Sequence, residues 1–222
     1  MQRTLGLEAM ANFHFDVDTE YAKKHNELLK DTKRLQISAA LFGLIQLGIG
    51  AAFFAWLGAG MGTIILVVFG VMALISFGMI AVIPKQVGKA NELYDAYPLC
   101  PAVIAKVNPR DVVLLALVNI NQDASLPPRW GLAARTVSNL DGHARAVGEK
   151  VPAVAVNGRR SSRNTTTWDE ITPMPIAWGT PDLDVIKRAK QAIPQRDWDL
   201  LQRHSGDLEA VRATKYDLME LR

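Results

Sequence analysis

Side chains able to do chemistry are sparse in this sequence, and they do not assemble into a recognisable motif. His143 and His204 lie far apart, and neither has a partner at HxxxH or HxxE spacing, so no pair of ligands falls on one helix face. No Gly-x-Ser-x-Gly elbow, phosphate loop or Gly-x-Gly-x-x-Gly turn occurs. Asp182 and Asp184 flank Leu183 and have the residue type for acid–base work. A helix start explains both more simply, because carboxylates favour the positive end of the helix dipole. Trp130, Trp168 and Trp178 have the bulk to line a pocket, although aromatic residues in small β domains usually fill the core. No catalytic, cofactor-binding or metal-binding residue is assigned, and no cofactor is expected.

What remains is contact chemistry. Arg159-Arg160-Ser161-Ser162-Arg163 follows the turn signal Asn157-Gly158. Three arginines so close could meet anionic headgroups, each cation near such a surface adding about 1 kcal/mol; a solvated hairpin tip is the simpler explanation. Lys23-Lys24-His25-Asn26-Glu27-Leu28 is echoed by Gly88-Lys89-Ala90-Asn91-Glu92-Leu93. The candidate lipid or partner contacts are therefore Arg159, Arg160, Arg163, Asn26, Glu27, Asn91 and Glu92. Asn164-Thr165-Thr166 matches a glycosylation sequon, which has meaning only outside the cytoplasm. The net charge of +3 is small and forms no basic stripe, so no nucleic-acid partner is expected. A single cysteine, Cys100, excludes a disulfide framework and a multi-cysteine zinc site, and reads as semi-buried.

The elements that must carry these residues begin with an uneven charge distribution. Between Arg34 and Lys85 there is no Lys, Arg, Asp or Glu. The gap divides around Gly58-Ala59-Gly60-Met61-Gly62 into two apolar runs, about 37–57 and 63–83. Each is close to the roughly 20 residues that cross a hydrocarbon core. Thirteen Leu, Ile, Val or Phe residues in the second run give it roughly −4 to −8 kcal/mol on insertion scales. Neither run keeps the polar face of a soluble core helix. Lys23, Lys24, Lys30, Lys33 and Arg34 precede the first run, and Lys85 and Lys89 follow the second. The positive-inside rule then places both termini in the cytoplasm. Ala39/Gly43 and Gly48/Ala52 supply small-residue spacings for close helix approach. Gln46 is expected to bond a nearby backbone carbonyl, the alternative being a partner across the hairpin or on another subunit.

Asp18 or Thr19 caps a helix that meets no Pro or Gly before Ala40, so one helix is expected to run from there into the bilayer. Pro84 marks a kink, and helix continues to Tyr97. Beyond Leu99, strands are predicted at 102–107, 112–121, 130–137, 151–157 and 168–176. Asn157-Gly158 predicts a tight hairpin. Helices are predicted at 182–192 and 196–204, and 208–221 fits helix or strand.

Phe15-Asp16-Val17-Asp18, Lys30-Asp31-Thr32-Lys33-Arg34-Leu35 and Thr172-Pro173-Met174-Pro175-Ile176-Ala177-Trp178-Gly179-Thr180 make the chain resemble small two-span membrane proteins of actinobacteria, grouped as a domain of unknown function. Val211-Arg212-Ala213-Thr214-Lys215 adds to the likeness. The resemblance implies a bacterial plasma membrane and brings no site residues. The expected fold is α+β: a transmembrane helical hairpin, then a small antiparallel β-rich domain, barrel or sandwich-like, with C-terminal helices. By sequence the divisions are a tail at 1–17, the hairpin with its membrane-proximal legs at 18–97, and a cytoplasmic domain at 98–222. The expected role is a non-enzymatic accessory or scaffold protein that contacts the bilayer and either a membrane-protein partner or its own copies. The alternative is an enzyme, or a receptor for a small ligand or lipid, built on the β-rich domain.

Overall fold

The computed structural model describes residues 13–87, 90–123, 125–162 and 164–221. Two compact units divide the chain. Glu27–Lys89 forms one, while residues up to Asn26 join Ala90–Arg222 in the other.

The first unit is a helical hairpin of α2 (Glu27–Leu57) and α3 (Met61–Val87). At 1.5 Å per residue, the 31 residues of α2 extend about 46 Å, longer than a hydrocarbon core of about 30 Å. Its first turns carry the charges. Gly58 (φ +68°) and Gly60 (φ +111°) turn the chain in left-handed conformations that other residues resist. Gly43, Gln46 and Gly50 are the buried residues of α2, spaced three and four apart on one face. A Cβ on Gly43 would lie 2.8 Å from the Phe77 ring, and one on Gly62 would lie 3.0 Å from Phe54 Cα. These glycines set the approach of the two backbones. Gly48, expected to serve the same seam, has open space around it. Gln46 takes the alternative across the hairpin, as an acceptor: Ser76 Oγ donates to its Oε1 at 3.0 Å. Gln36 Nε2 donates to the Ile80 carbonyl at 2.9 Å. A core helix of a soluble protein would be mostly covered, yet only 17% and 6% of the two apolar windows are buried.

The second unit opens with α1 (Thr19–His25), capped by Asp18, whose carboxylate accepts from the Glu20 and Tyr21 N–H groups. The expected continuous helix is interrupted at Asn26, whose backbone is extended (φ −76°, ψ 110°). An asparagine competes well with the helix for its own hydrogen bonds. Here its fully buried amide donates to Met174 Sδ at 3.2 Å. After the hairpin come α4 (Ala90–Ala96) and strands β1 (Leu99–Val107), β2 (Val112–Asn119), β3 (Trp130–Val137), β4 (Lys150–Asn157) and β5 (Ile171–Pro175). A 3₁₀ turn (Ile176–Trp178), α5 (Leu183–Ala192), α6 (Gln195–Arg203), α7 (Leu208–Arg212) and β6 (Leu218–Glu220) complete the chain. The ambiguous tail is thus both helix and strand. Helices α1 and α4 pack with the β elements, although by sequence they belong to the hairpin.

The strands form one antiparallel sheet in the order β5-β4-β1-β2-β3-β6. It is a curled sheet, the small antiparallel β-rich domain that was expected. Just before β5, Thr167 bridges to Asn121 beyond β2, and Trp168 N–H donates to the Ile120 carbonyl. Strand β2 is buried on both sides, which is why its sequence is continuously apolar. Val113, Leu115 and Leu117 meet Trp198, Leu201, Leu208 and Val211 from α6 and α7. Leu114, Ala116 and Val118 are buried on the opposite face. The predicted tight turn at Asn157-Gly158 is absent: β4 and β5 pair directly, but residues 158–170 connect them. Gly158 N–H donates to Glu170 O, closing this longer loop.

Candidate functional site

Asn26 turns into the core, Glu27 begins the hairpin unit, and Asn91 and Glu92 lie on the exposed side of α4. The opposite side of α4 presents Leu93 and Tyr94 to the core. Tyr94 Oη donates to the Pro175 carbonyl (2.9 Å), and its ring meets Phe15 edge-on, with centroids 5.1 Å apart. Burial pushes the Tyr94 hydroxyl pKa up, so it stays a donor. A Cβ on Gly179 would fall 2.7 Å from the Tyr94 ring, so only glycine fits there.

The arginine loop is held rather than loose. Asn164 caps its own turn through Thr166 and Thr167, and Gln122 Nε2 donates to the Asn164 and Thr167 carbonyls. Arg159 lies 3.7 Å from Glu170 and stands over the Tyr216 ring (5.8 Å). Lys215 approaches the same ring at 5.0 Å. Lys215 and Arg159 hold the Tyr216 hydroxyl below its usual pKa. Arg160 is exposed, while Arg163 lies outside the described residues. Lys215 was not singled out by sequence; its separation from Arg159 along the chain gives no periodic signal, and only the β3–β6 pairing brings that end back.

The most polar assembly lies on the loop joining β3 to β4. Asp141 accepts from Tyr21 Oη (3.0 Å) and from Asn139 Nδ2 (2.9 Å), and faces His25 Nδ1 at 3.0 Å. Tyr21 and His25 stack on α1, centroids 4.0 Å apart. Partial burial, then the Asp141 carboxylate, pushes the Tyr21 hydroxyl up to about 12. Trp178 Nε1 donates to the Asn139 carbonyl, fixing the loop from below. Nearby, His143 Nδ1 lies 3.1 Å from Glu149 Oε1, and the imidazole is only 3% exposed. Burial lowers its pKa, opposed by Glu149 and assisted by the charge of Lys190. His143 lines a cavity of about 300 Å³ with Ser138, Asn139, Asp141 and Arg145. Arg145 donates to the carbonyls of Asn108 and Asp111.

The other candidates resolve into structure. Asp182 accepts from the Asp184 N–H (2.8 Å), the helix cap that accounts for this acidic pair. Cys100 is fully buried, its thiol pushed up to about 12 by burial. Trp178 is buried beneath the β3–β4 loop, whereas Trp130 packs at the edge of the core under α6 and α7. No three of the metal-ligating side chains gather among the described residues.

A family model described as "Protein of unknown function (DUF3239)" matches residues 85–209, more than half of the chain. The chain belongs to this family. The DUF3239 match runs from the end of α3 to α7, and leaves the apolar helices before residue 85 outside it. A solved structure from Corynebacterium diphtheriae, described as that of a candidate membrane protein, is 53% identical. It is matched over 99% of its own chain and 55% of this one, with a TM-score of 0.53. No curated protein matches. The resemblance to an actinobacterial family of unknown function holds, and the two apolar helices agree with a membrane protein of two candidate spans.

Proposed function

We propose that this DUF3239 protein is a non-enzymatic accessory or scaffold protein of the bacterial plasma membrane, acting through protein–protein contacts. The observation that carries the proposal is the way the anchor is built into the domain. Both ends of the hairpin issue from one globular unit, since α1 before it and α4 after it pack on the same sheet-based core. Such a domain is tethered at two points. The hairpin's own polar side chains support an anchor rather than a conduit: Gln46 pairs with Ser76, and Gln36 with a backbone carbonyl. Positive charge on both flanks and none at the tip favours cytoplasmic termini. Arg159 and Arg160, joined by Lys215, are the surface proposed to meet a partner or anionic headgroups.

Topology and contact are tested together. Cys100 is buried and unreactive, so introduced cysteines report cleanly. Ala59→Cys at the tip is expected to label with an impermeant maleimide in intact cells, and Ser162→Cys in the arginine loop only after permeabilisation. The reverse pattern overturns the orientation. Photo-crosslinkers at Arg160 and Asn91 are expected to give discrete adducts in native membranes; purification as a monomer with no adduct at either position overturns the scaffold role.

A further inference from the structure

We propose that Gln36 is the latch of a proline hinge near the end of α3. By donating to the carbonyl that Pro84 deprives of its helical partner, it ties the stiffness of α3 to the packing of α2 against it. This goes beyond the scaffold reading and does not depend on it.

The starting point is a proline inside a helix. Helix α3 runs Met61–Val87 and so continues past Pro84, the only proline in the sequence between Glu27 and Val87. Proline has no N–H. In a helix interior it leaves the carbonyl four residues earlier without its ordinary donor, and crowds that carbonyl as well. For Pro84 the carbonyl is that of Ile80. In an apolar surrounding a freed carbonyl is costly, and membrane helices keep their prolines where a neighbouring helix, a hydroxyl side chain, a water or a local change of pitch satisfies it again. Here the neighbouring helix supplies the donor: Gln36 Nε2 donates to the Ile80 carbonyl at 2.9 Å. A carbonyl only accepts, so the amide nitrogen of Gln36 must be the atom that faces it.

Two observations set this contact apart from a chance meeting. Within an α-helix each carbonyl is ordinarily taken by the N–H four residues on, so an amide laid against the helix at random meets an occupied acceptor. Gln36 meets the one position in α3 from which a proline removes that N–H. The register of the hairpin leads to the same place. Gly43 lies against Phe77 and Gln46 against Ser76, and the next step down this antiparallel seam brings Gln36 to the level of Ile80. The two glutamines of α2 thus do opposite work: Gln46 accepts from a side chain, whereas Gln36 donates to the backbone.

The consequence is mechanical. A helix bends most readily at a proline, where one rung of its ladder is missing. In this hairpin the missing rung is replaced from outside the helix, and only while α2 and α3 stay together at that level. Parting them there removes the donor and frees the hinge. The hairpin therefore has a latched, stiff state and an unlatched, bending one, and whatever alters the packing of the two helices shifts the balance between them.

The test uses the full chain in lipid nanodiscs, with spin labels at Val67→Cys and Gln86→Cys. Val67 is exposed on α3, and the buried Cys100 stays unlabelled. In a straight helix the two positions stand about 28 Å apart at 1.5 Å per residue. Gln36→Met keeps the side chain's bulk and loses the donor, and is expected to broaden the distance distribution. In a Pro84→Ala background position 84 regains its N–H, and the same change is expected to leave the distribution narrow. In reversible SDS unfolding of the hairpin, Gln36→Met is expected to shift the equilibrium about three- to twenty-fold when Pro84 is present, the span of hydrogen bonds between membrane helices. With Pro84→Ala the shift should fall below about two-fold. Carbonyl ¹³C labelling of isoleucine, with Ile80→Val to identify the signal, reads the bond directly and does not require equal stability of the variants; the Ile80 resonance is expected to move on Gln36→Met. If Gln36→Met acts equally in both backgrounds, or leaves the Ile80 carbonyl unmoved, Gln36 is an ordinary seam contact and the proposal falls.

Discussion

The hairpin and the globular unit bury opposite kinds of residue. Among the described residues of the hairpin the enclosed positions are Gly43, Gln46, Gly50, Gly62 and Ala73, while Leu41, Phe42, Leu74 and Ile75 face outward. In the globular unit Leu114, Leu115, Leu132, Ile176 and Leu201 are enclosed, and lysines and arginines lie outside. The difference follows from the solvent each surface is made for. In water, removing apolar area supplies the driving force, about 25 cal/mol per Å². Lipid tails are as apolar as leucine, so helices in a bilayer gain nothing by hiding leucine from them. They associate through close backbone packing and hydrogen bonds instead, and these are what small residues and a Gln–Ser pair provide.

Matched truncations in the two units test this contrast most strongly. Leu201→Ala removes a fully buried side chain between α6 and the sheet, and is expected to cost about 2–5 kcal/mol in urea unfolding of the globular unit. Leu74→Ala on the exposed face of α3 is expected to leave hairpin association in detergent unchanged, because no packed neighbour is lost. Equal losses at both positions would mean that the hairpin is held like a soluble core. Enlarging the seam should have the converse effect. Gly43→Leu drives a side chain into the Phe77 ring, an overpacking expected to cost roughly 1–3 kcal/mol of hairpin stability. Gly48→Leu enters open space and is expected to be silent in the same assay.

How far each unit can be read from sequence follows the same division. The hairpin announces itself because an absence of charge is a one-dimensional signal. The pairing inside it does not: Gly43 and Gly48 look alike in sequence, and only the rotation of α2 against α3 decides that Gly43 meets Phe77. Strands β1 to β4 and helices α5 and α6 were legible from apolar runs bounded by turn residues. The break at Asn26 was not, since nothing local forbids a helix there; Met174, distant in the chain, gives its amide a better place. Asn157-Gly158 misled for a related reason. A turn dipeptide specifies a hairpin only when the following residues pair at once, and here Gln122 holds the next segment away through Asn164 and Thr167. The His143 cavity was invisible because Glu149 is its partner only through the fold of the loop, and the Tyr21–Asp141 contact links α1 to residues beyond both membrane helices.

A smaller, pH-dependent effect separates the units again, because every histidine lies outside the apolar helices. His143 has its pKa lowered from 6.5 chiefly by burial, with Glu149 opposing and Lys190 reinforcing. In the unfolded chain it takes up a proton at its ordinary pKa, while in the folded protein it does so only at lower pH. Stability from this group is therefore complete above that ordinary value and is lost as pH falls through the folded pKa. His143→Gln is expected to flatten the decline of the globular unit's melting temperature below pH 6.5, with His14, His25 and His204 common to both proteins. Hairpin association is expected to show no difference between the two proteins. Identical acid profiles for the globular units would remove the buried imidazole as a source of the slope.

The smallest effect addresses what the Gln46–Ser76 pair at the hairpin seam contributes. Ser76 shares its hydroxyl hydrogen between Gln46 Oε1 (3.0 Å) and the Met72 carbonyl (3.1 Å), so it retains a partner within its own helix when Gln46 is lost. Gln46→Leu should then cost little, about 0.6 kcal/mol and no more than roughly 1.7 kcal/mol, the range of hydrogen bonds between membrane helices. Ser76→Ala has the opposite asymmetry, because it strands the Gln46 carbonyl oxygen at the seam and should cost more than Gln46→Leu. The double variant removes both polar groups and is expected to be less destabilised than the sum of the single changes, the sign of a coupled pair. If the single effects simply add, the contact does not couple the helices, and the glycines alone hold the hairpin together.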